Sequence, residues 1–217
     1  PALTDLLHGD TTQIPMWMGR FHGVFLIGAA CGGLLFGWLG DKIGRVRAMT
    51  FSVLAYSVFT GIGYFAASPE QLAGLRFLAA LGMGGEWSLG VALVMECWPE
   101  RFRPLLAGAI GASANIGFAL IALLAMRFKV TPESWRWVLL AGLAPAVLTF
   151  FIRIFVPESE KWKESVKGGD KQQPLKEVFG PRLWKHTLLA FAFASVALIG
   201  TWGSIQWIPS WVDKQLM

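Results

Sequence analysis

The chain has 217 residues, of which 54% are hydrophobic and only 15% charged, with a mean hydropathy of +0.52 and a formal net charge of +5. A soluble domain carries roughly 25% charged residues, so the composition excludes an ordinary water-soluble protein and indicates an integral membrane protein. The excess of Lys and Arg is gathered in particular loops, as membrane topology requires, and no basic aromatic-studded face indicates nucleic acid.

In chain order, residues 1–20 read as a polar-to-mixed loop, and the first span runs over about 21–40. A short charged turn, Gly37-Trp38-Leu39-Gly40-Asp41-Lys42-Ile43-Gly44-Arg45-Val46-Arg47, leads to a second span over about 48–67. Each run is about 20 residues, the length a helix needs to cross a hydrocarbon core of roughly 30 Å. Pro69 suits the first turn of a third span, about 70–97, which contains Arg76 and Glu86 and ends near Glu96. After Pro99-Glu100-Arg101-Phe102-Arg103, a charge-free fourth span covers about 104–126; Arg127–Arg136 is a polar loop, and a fifth span is expected over about 137–155. Residues 157–186 are rich in charge, carry Gly168-Gly169 in their middle, and read as a soluble linker. The later part of that linker (Leu175, Val178, Phe179, Leu183, Trp184) has the pattern of a short helix lying on lipid headgroups. A sixth span over about 187–208 closes at Pro209.

Most Lys and Arg fall on the side of the Asp41 turn, so 41–47, 98–103 and 157–186 are expected to be cytoplasmic and residues 1–20 extracytoplasmic. The expected location is multi-pass in the inner (plasma) membrane. The chain starts at Pro1 without an initiator methionine and has no signal-peptide pattern, and both ends read as cut. Cys31 and Cys97 read as packing residues. No Cys/His cluster has metal spacing, and no Ser/His/Asp set or phosphate loop stands out, so no enzyme is expected.

Asp41, Glu96 and Glu158 share an anomaly. Each sits at the C-terminal end of a predicted helix, where the helix dipole disfavours an anion, and each is followed by cations. The recurrence, about every 55 to 60 residues, suggests a weak internal repeat. The two readings are solvated turn charges, or an ion-pair cluster that latches one conformation.

The turn Gly37, Leu39, Asp41, Lys42, Gly44, Arg45 resembles the G-x-L-x-D-[RK]-x-G-R signature of the major facilitator superfamily. Glu96-Cys97-Trp98-Pro99 through Arg103 resembles that family's E-x-x-P-x-x-x-R element. Pro157-Glu158-Ser159 resembles its P-E-S element, although the usual following Pro-Arg is Glu160-Lys161 here. The resemblance covers essentially the whole chain and implies an all-α integral membrane fold. The six spans become the family's helices two to seven, with helix one and helices eight to twelve missing, so the remainder of its own chain is an implied partner. Domains are accordingly expected as a 1–20 loop, a 21–156 transmembrane bundle, a 157–186 linker, and helix seven with its following segment over 187–217. Within the family, Gly84-Gly85-Glu86-Trp87 is most similar to metabolite–proton symporters of the sialate and monocarboxylate type. Residues 108–126 lack the proline core of drug–proton antiporters.

Arg76 is suited to a two-pronged grip on a carboxylate, or else it snorkels outward and pairs with an acid or a carbonyl. About 15 Å further along the helix at 1.5 Å per residue, Glu86 is suited to carry a coupled proton, or else it bonds a neighbouring helix. Asn115, deep in the fourth span, contacts either substrate or a neighbouring helix. Gln206 is a candidate substrate contact, whereas Trp202 and Trp207 are as well read as an interfacial belt. Gly28, Gly32, Gly33 and Gly37 serve either close helix packing or a gating interface. The resemblance implies secondary active transport of a small organic solute, expected to be an organic anion or sugar acid taken up by proton symport through alternating access. A sugar porter, an uncoupled facilitator and a transporter-like, non-transporting receptor are the alternatives. The latch candidates are Asp41, Arg45, Glu96, Arg103 and Glu158. No cofactor is expected beyond the coupling proton; the expected partners are a small-molecule substrate and membrane lipid, with no nucleic acid.

Overall fold

The structure, a computed structural model, describes residues 1–168 and 178–205, and every element among them is helical. The first of two compact units, Pro1–Asp170, holds α1 (Ala2–Leu6), α2 (Ile14–Ile43), α3 (Arg45–Ile62), α4 (Pro69–Cys97), α5 (Arg103–Arg127), α6 (Trp135–Ala141), α7 (Pro145–Phe155) and α8 (Glu160–Lys167). Two 3-10 turns, Gly63–Phe65 and Glu100–Phe102, follow α3 and precede α5. The second unit contains α9 (Trp184–Ile205), where Thr187 Oγ1 donates to the Val178 carbonyl at 2.7 Å. Among the described residues, four helices, α2 to α5 with their 3-10 extensions, are long and apolar enough to cross a membrane.

Local chemistry sets these boundaries. Ser68 caps α4 by accepting from the Gln71 N–H at 3.3 Å, and Gln71 Oε1 accepts in return from the Ala67 N–H at 2.9 Å. Pro69 occupies the first turn, where no N–H is needed. Between α2 and α3 the chain turns at Gly44 with φ of 106° and ψ of 151°, a conformation nearly confined to glycine.

Three sequence expectations change. Residues 1–20 are not all loop: α1 forms, and α2 begins at Ile14, with Pro15 in its first turn. Leu3, Leu6, Trp17, Phe21, Ala66, Leu72 and Trp135 bury one another there, so apolar contact stabilises a segment that local pattern left unordered. The fifth span is broken. Pro145 has no N–H to offer the Ala141 carbonyl, which instead accepts from Ala144 at 3.0 Å; Gly142 and Leu143 make the same three-residue reach to Leu139 and Leu140. The result is α6 and α7 separated by a tight 3-10 turn. Thirdly, the expected linker contains α8, capped by Ser159 Oγ on the Trp162 N–H at 3.3 Å and belonging to the first unit. The expected headgroup helix over 175–184 lies partly outside the described residues.

The first unit is built around α4, which packs against α2 and α3. A Cβ at Gly28 would meet the Phe77 carbonyl and Ala80, one at Gly32 the Leu81 backbone, and one at Gly84 the Ala29 backbone. Small residues thus let the two helix backbones touch. Gly37, by contrast, faces open space. By contrast, α5 exposes Ile116, Phe118, Ile121 and Leu124, an apolar exterior of the kind lipid or further helices cover.

Candidate functional site

The α2–α3 turn assembles a charged cluster at one end of the unit. Arg45, in the first turn of α3, donates from Nε to Glu96 Oε1 at 2.9 Å and forms an ion pair through Nη1 with Asp41 Oδ1 at 2.5 Å. These side chains are only 14%, 16% and 19% exposed for Arg45, Asp41 and Glu96, so their attraction is less screened than that of a surface pair. One guanidinium therefore joins the ends of α2, α3 and α4. The second oxygen of Glu96 is buried and accepts no hydrogen bond from the described residues.

Glu158 faces the dipole of a helix other than the one it follows. Its Oε1 accepts from the Val46 N–H at 3.1 Å, and its carboxylate fills the space a Cβ would need at Gly44. A carboxylate more than a hundred residues away in sequence thus caps the N-terminus of α3, where the dipole favours an anion. Gly44 supplies no side-chain cap of its own. The neighbouring Trp162 indole donates to the Asp41 carbonyl at 2.8 Å, tying α8 to the same turn. Arg103 lies apart from this group: it opens α5 after the Glu100–Phe102 turn and donates to the Trp98 carbonyl at 3.1 Å and to Glu100 at 3.4 Å.

Along α4, the face bearing Gly84 and Gly85 lies against α2, and Gly82 lies against Ser52 and Tyr56 of α3. Ser52 Oγ donates to the Gly82 carbonyl at 2.5 Å. Arg76 and Glu86 stay exposed. The Arg76 guanidinium stands 5.4 Å from the Phe21 ring centre and borders a cavity of about 160 Å³ lined by Phe25, Phe59, Thr60, Leu75 and Met83. Glu86 has Tyr56 as its polar neighbour on α3. Asn115 is exposed on α5 and donates to the Gly111 carbonyl of its own helix at 3.2 Å. Gln206 lies outside the described residues. Among the described residues no group of His, Cys, Asp and Glu is gathered for a metal ion.

A second polar cluster, unanticipated from the sequence, closes the opposite end. Asp5 accepts from the Trp135 indole at 3.1 Å and from Arg136 Nη1 at 2.5 Å, and Arg136 Nη2 donates to the Ala66 carbonyl at 3.2 Å. Those bonds from Trp135 and Arg136 hold the Asp5 carboxyl below the usual carboxylate range. Three segments distant in sequence are thus tied together through the Arg136 guanidinium, and no local signal marks such a meeting.

Comparison with known proteins gives a family match over nearly the whole chain. The family model described as Major Facilitator Superfamily matches residues 1–216. The inner membrane metabolite transport protein YgcS of Escherichia coli is 32% identical, with 90% of this chain and 49% of that protein aligned. The cis,cis-muconate transport protein of Acinetobacter baylyi is 29% identical over 91% of this chain and 49% of its own length. The sialic acid transporter NanX of Escherichia coli is 29% identical over 87% of this chain and 46% of its own. The chain spans about half the length of these relatives.

Proposed function

The chain belongs to the Major Facilitator Superfamily, and from that premise we propose that the complete protein is a secondary transporter, not an enzyme, that couples a small organic anion to a proton. One observation carries the reading: α4 bears Arg76 and Glu86, ten residues apart, in an otherwise uncharged stretch from Leu72 to Met95. A charge at such depth costs at least about 2.5 kcal/mol and marks a substrate or ion path by default. In this reading Arg76 holds the carboxylate of the substrate, with the neighbouring cavity taking an apolar body. Glu86 alternates between charged and neutral forms as it carries the proton, while Asn115 and Gln206 add substrate contacts. Relatives named for muconate and sialic acid, both carboxylates, support the anion class. The Asp41–Arg45–Glu96 group, with Glu158 capping α3, acts as a latch on the cytoplasmic side of the inner membrane.

Uptake of labelled cis,cis-muconate, sialate and a neutral sugar by the full-length protein, with and without an imposed pH gradient, tests this. The expected result is carboxylate uptake that rises with inward proton gradient, falls more than tenfold in Arg76→Ala, and loses its pH dependence in Glu86→Gln. Sugar uptake, gradient-independent uptake, or no counterflow of any probe would replace the reading with a sugar porter, a facilitator or a non-transporting receptor respectively.

A further inference from the structure

Beyond the assignment of Glu86 as proton carrier, on which this rests, we infer that Tyr56 is a positioning residue for the Glu86 carboxyl. The placement follows from the packing of α3 on α4. At Gly82 the backbones are so close that an added Cβ would stand 2.6 Å from the Tyr56 nitrogen and 2.9 Å from its Cβ. Ser52, one turn before Tyr56, locks the register by donating to the Gly82 carbonyl at 2.5 Å. Glu86 lies one turn beyond Gly82 on the same side of α4, because residues four apart share a helix face. Tyr56 lies on that side of α3, half-buried, and its hydroxyl interacts with the Glu86 carboxyl.

Among the described residues, this phenol is the titratable neighbour of Glu86. Between His22 and Asp41, α2 carries no ionisable side chain except Cys31; α5 carries none between Arg103 and Arg127, and Arg76 is ten residues up the same helix. A phenolic O–H both donates and accepts, so it matches either protonation state of a carboxyl. Donation to the ionised form favours that form. Tyr56 therefore partners Glu86 in either protonation state and holds the carboxyl on the α3 side of α4. Gly82 is part of the device, since any side chain there would push Tyr56 away.

Infrared difference titration of the full-length protein reads this without a substrate. Glu86→Gln identifies the protonated-carboxyl band that belongs to Glu86. In Tyr56→Phe, which keeps the ring and the packing, that band is expected at higher wavenumber, with its titration midpoint displaced upward by about half a unit to one unit of pH. A Tyr56→Phe band and midpoint identical to the parent's, or no titrating Glu86 band at all, would overturn the inference. Muconate uptake separates the two proposals. If the band shifts in Tyr56→Phe while Glu86→Gln keeps its pH-dependent uptake, the positioning stands and the carrier role of Glu86 falls.

Discussion

At the residue scale, two positions turn ordinary chemistry into strong constraints. Gly44 must adopt a backbone conformation nearly closed to other residues while leaving room for the Glu158 carboxylate. Gly44→Ala is expected to destabilise the protein by about 1–3 kcal/mol from strain, with further loss from displacing Glu158, measurable by thermal unfolding in detergent. Asp5 offers a pH-dependent counterpart. Its folded-state pKa is depressed, so its bonds to Trp135 and Arg136 contribute stability at pH values above the ordinary carboxylate pKa of 3.8, and that stability fades as pH falls below it. Asp5 and Arg136 are each about a third exposed, and solvent screening limits the contribution to about 1 kcal/mol. Asp5→Asn should lose that increment at neutral pH and, alone among the variants considered, show a smaller loss of unfolding temperature between pH 5 and 3.

At the element scale, helix contact rather than helix propensity decides which glycines matter. Gly32 and Gly84 face the backbones of α4 and α2, which cannot yield as a flexible side chain can. Either glycine changed to Ala is expected to cost about 1–3 kcal/mol through overpacking. Gly37→Ala and Gly111→Ala meet open space within the unit and should be neutral or gain up to about 1 kcal/mol from helix propensity. Differential scanning of the four variants checks the order, and equal effects would remove the close-packing explanation. From sequence, this glycine set is compatible with both packing and gating. In the structure Gly28 and Gly32 serve packing within the unit, while Gly37 stays available to a surface outside it. The α6–α7 break belongs to this scale too: Leu143 packs on Gly61 and Gly142 on Thr60, so the 3-10 turn seats on α3. Apolar periodicity continues through such a turn, which is why hydropathy alone reads one span.

At the scale of the whole molecule, the proposed latch predicts a shift of populations. Arg45 and its two carboxylates join three helix ends, and Glu158 with Trp162 adds α8. Charge-assisted bonds are worth roughly 1.5–3 kcal/mol each when sheltered, so removing one changes a two-state equilibrium about tenfold or more. Asp41→Asn in the full-length protein is expected to move the balance toward the state open on the latch side, read by spin-label distances across that face. Unchanged distance populations together with unchanged transport would reduce the cluster to a structural tie.

The sequence by itself determined the class and the frame of this protein. Span lengths, the Asp41–Arg45 turn, the Glu96–Pro99 element and Pro157–Glu158 are local patterns, and each depends on chain-local rules of hydropathy, turn geometry and spacing. Those rules also singled out Arg76 and Glu86, because a charge inside an apolar run is visible without coordinates. What the tertiary structure decided is which distant groups meet. Glu158 caps a helix that begins at Arg45, Arg45 rather than Arg103 gathers Asp41 and Glu96, Asp5 finds Trp135 and Arg136, and Tyr56 comes to Glu86. Each pairing depends on how α2, α3 and α4 cross and on how the connecting segments fold back over their ends. Crossing geometry arises from side-chain and backbone contact between helices, summed over many residues, and no single stretch of sequence carries it.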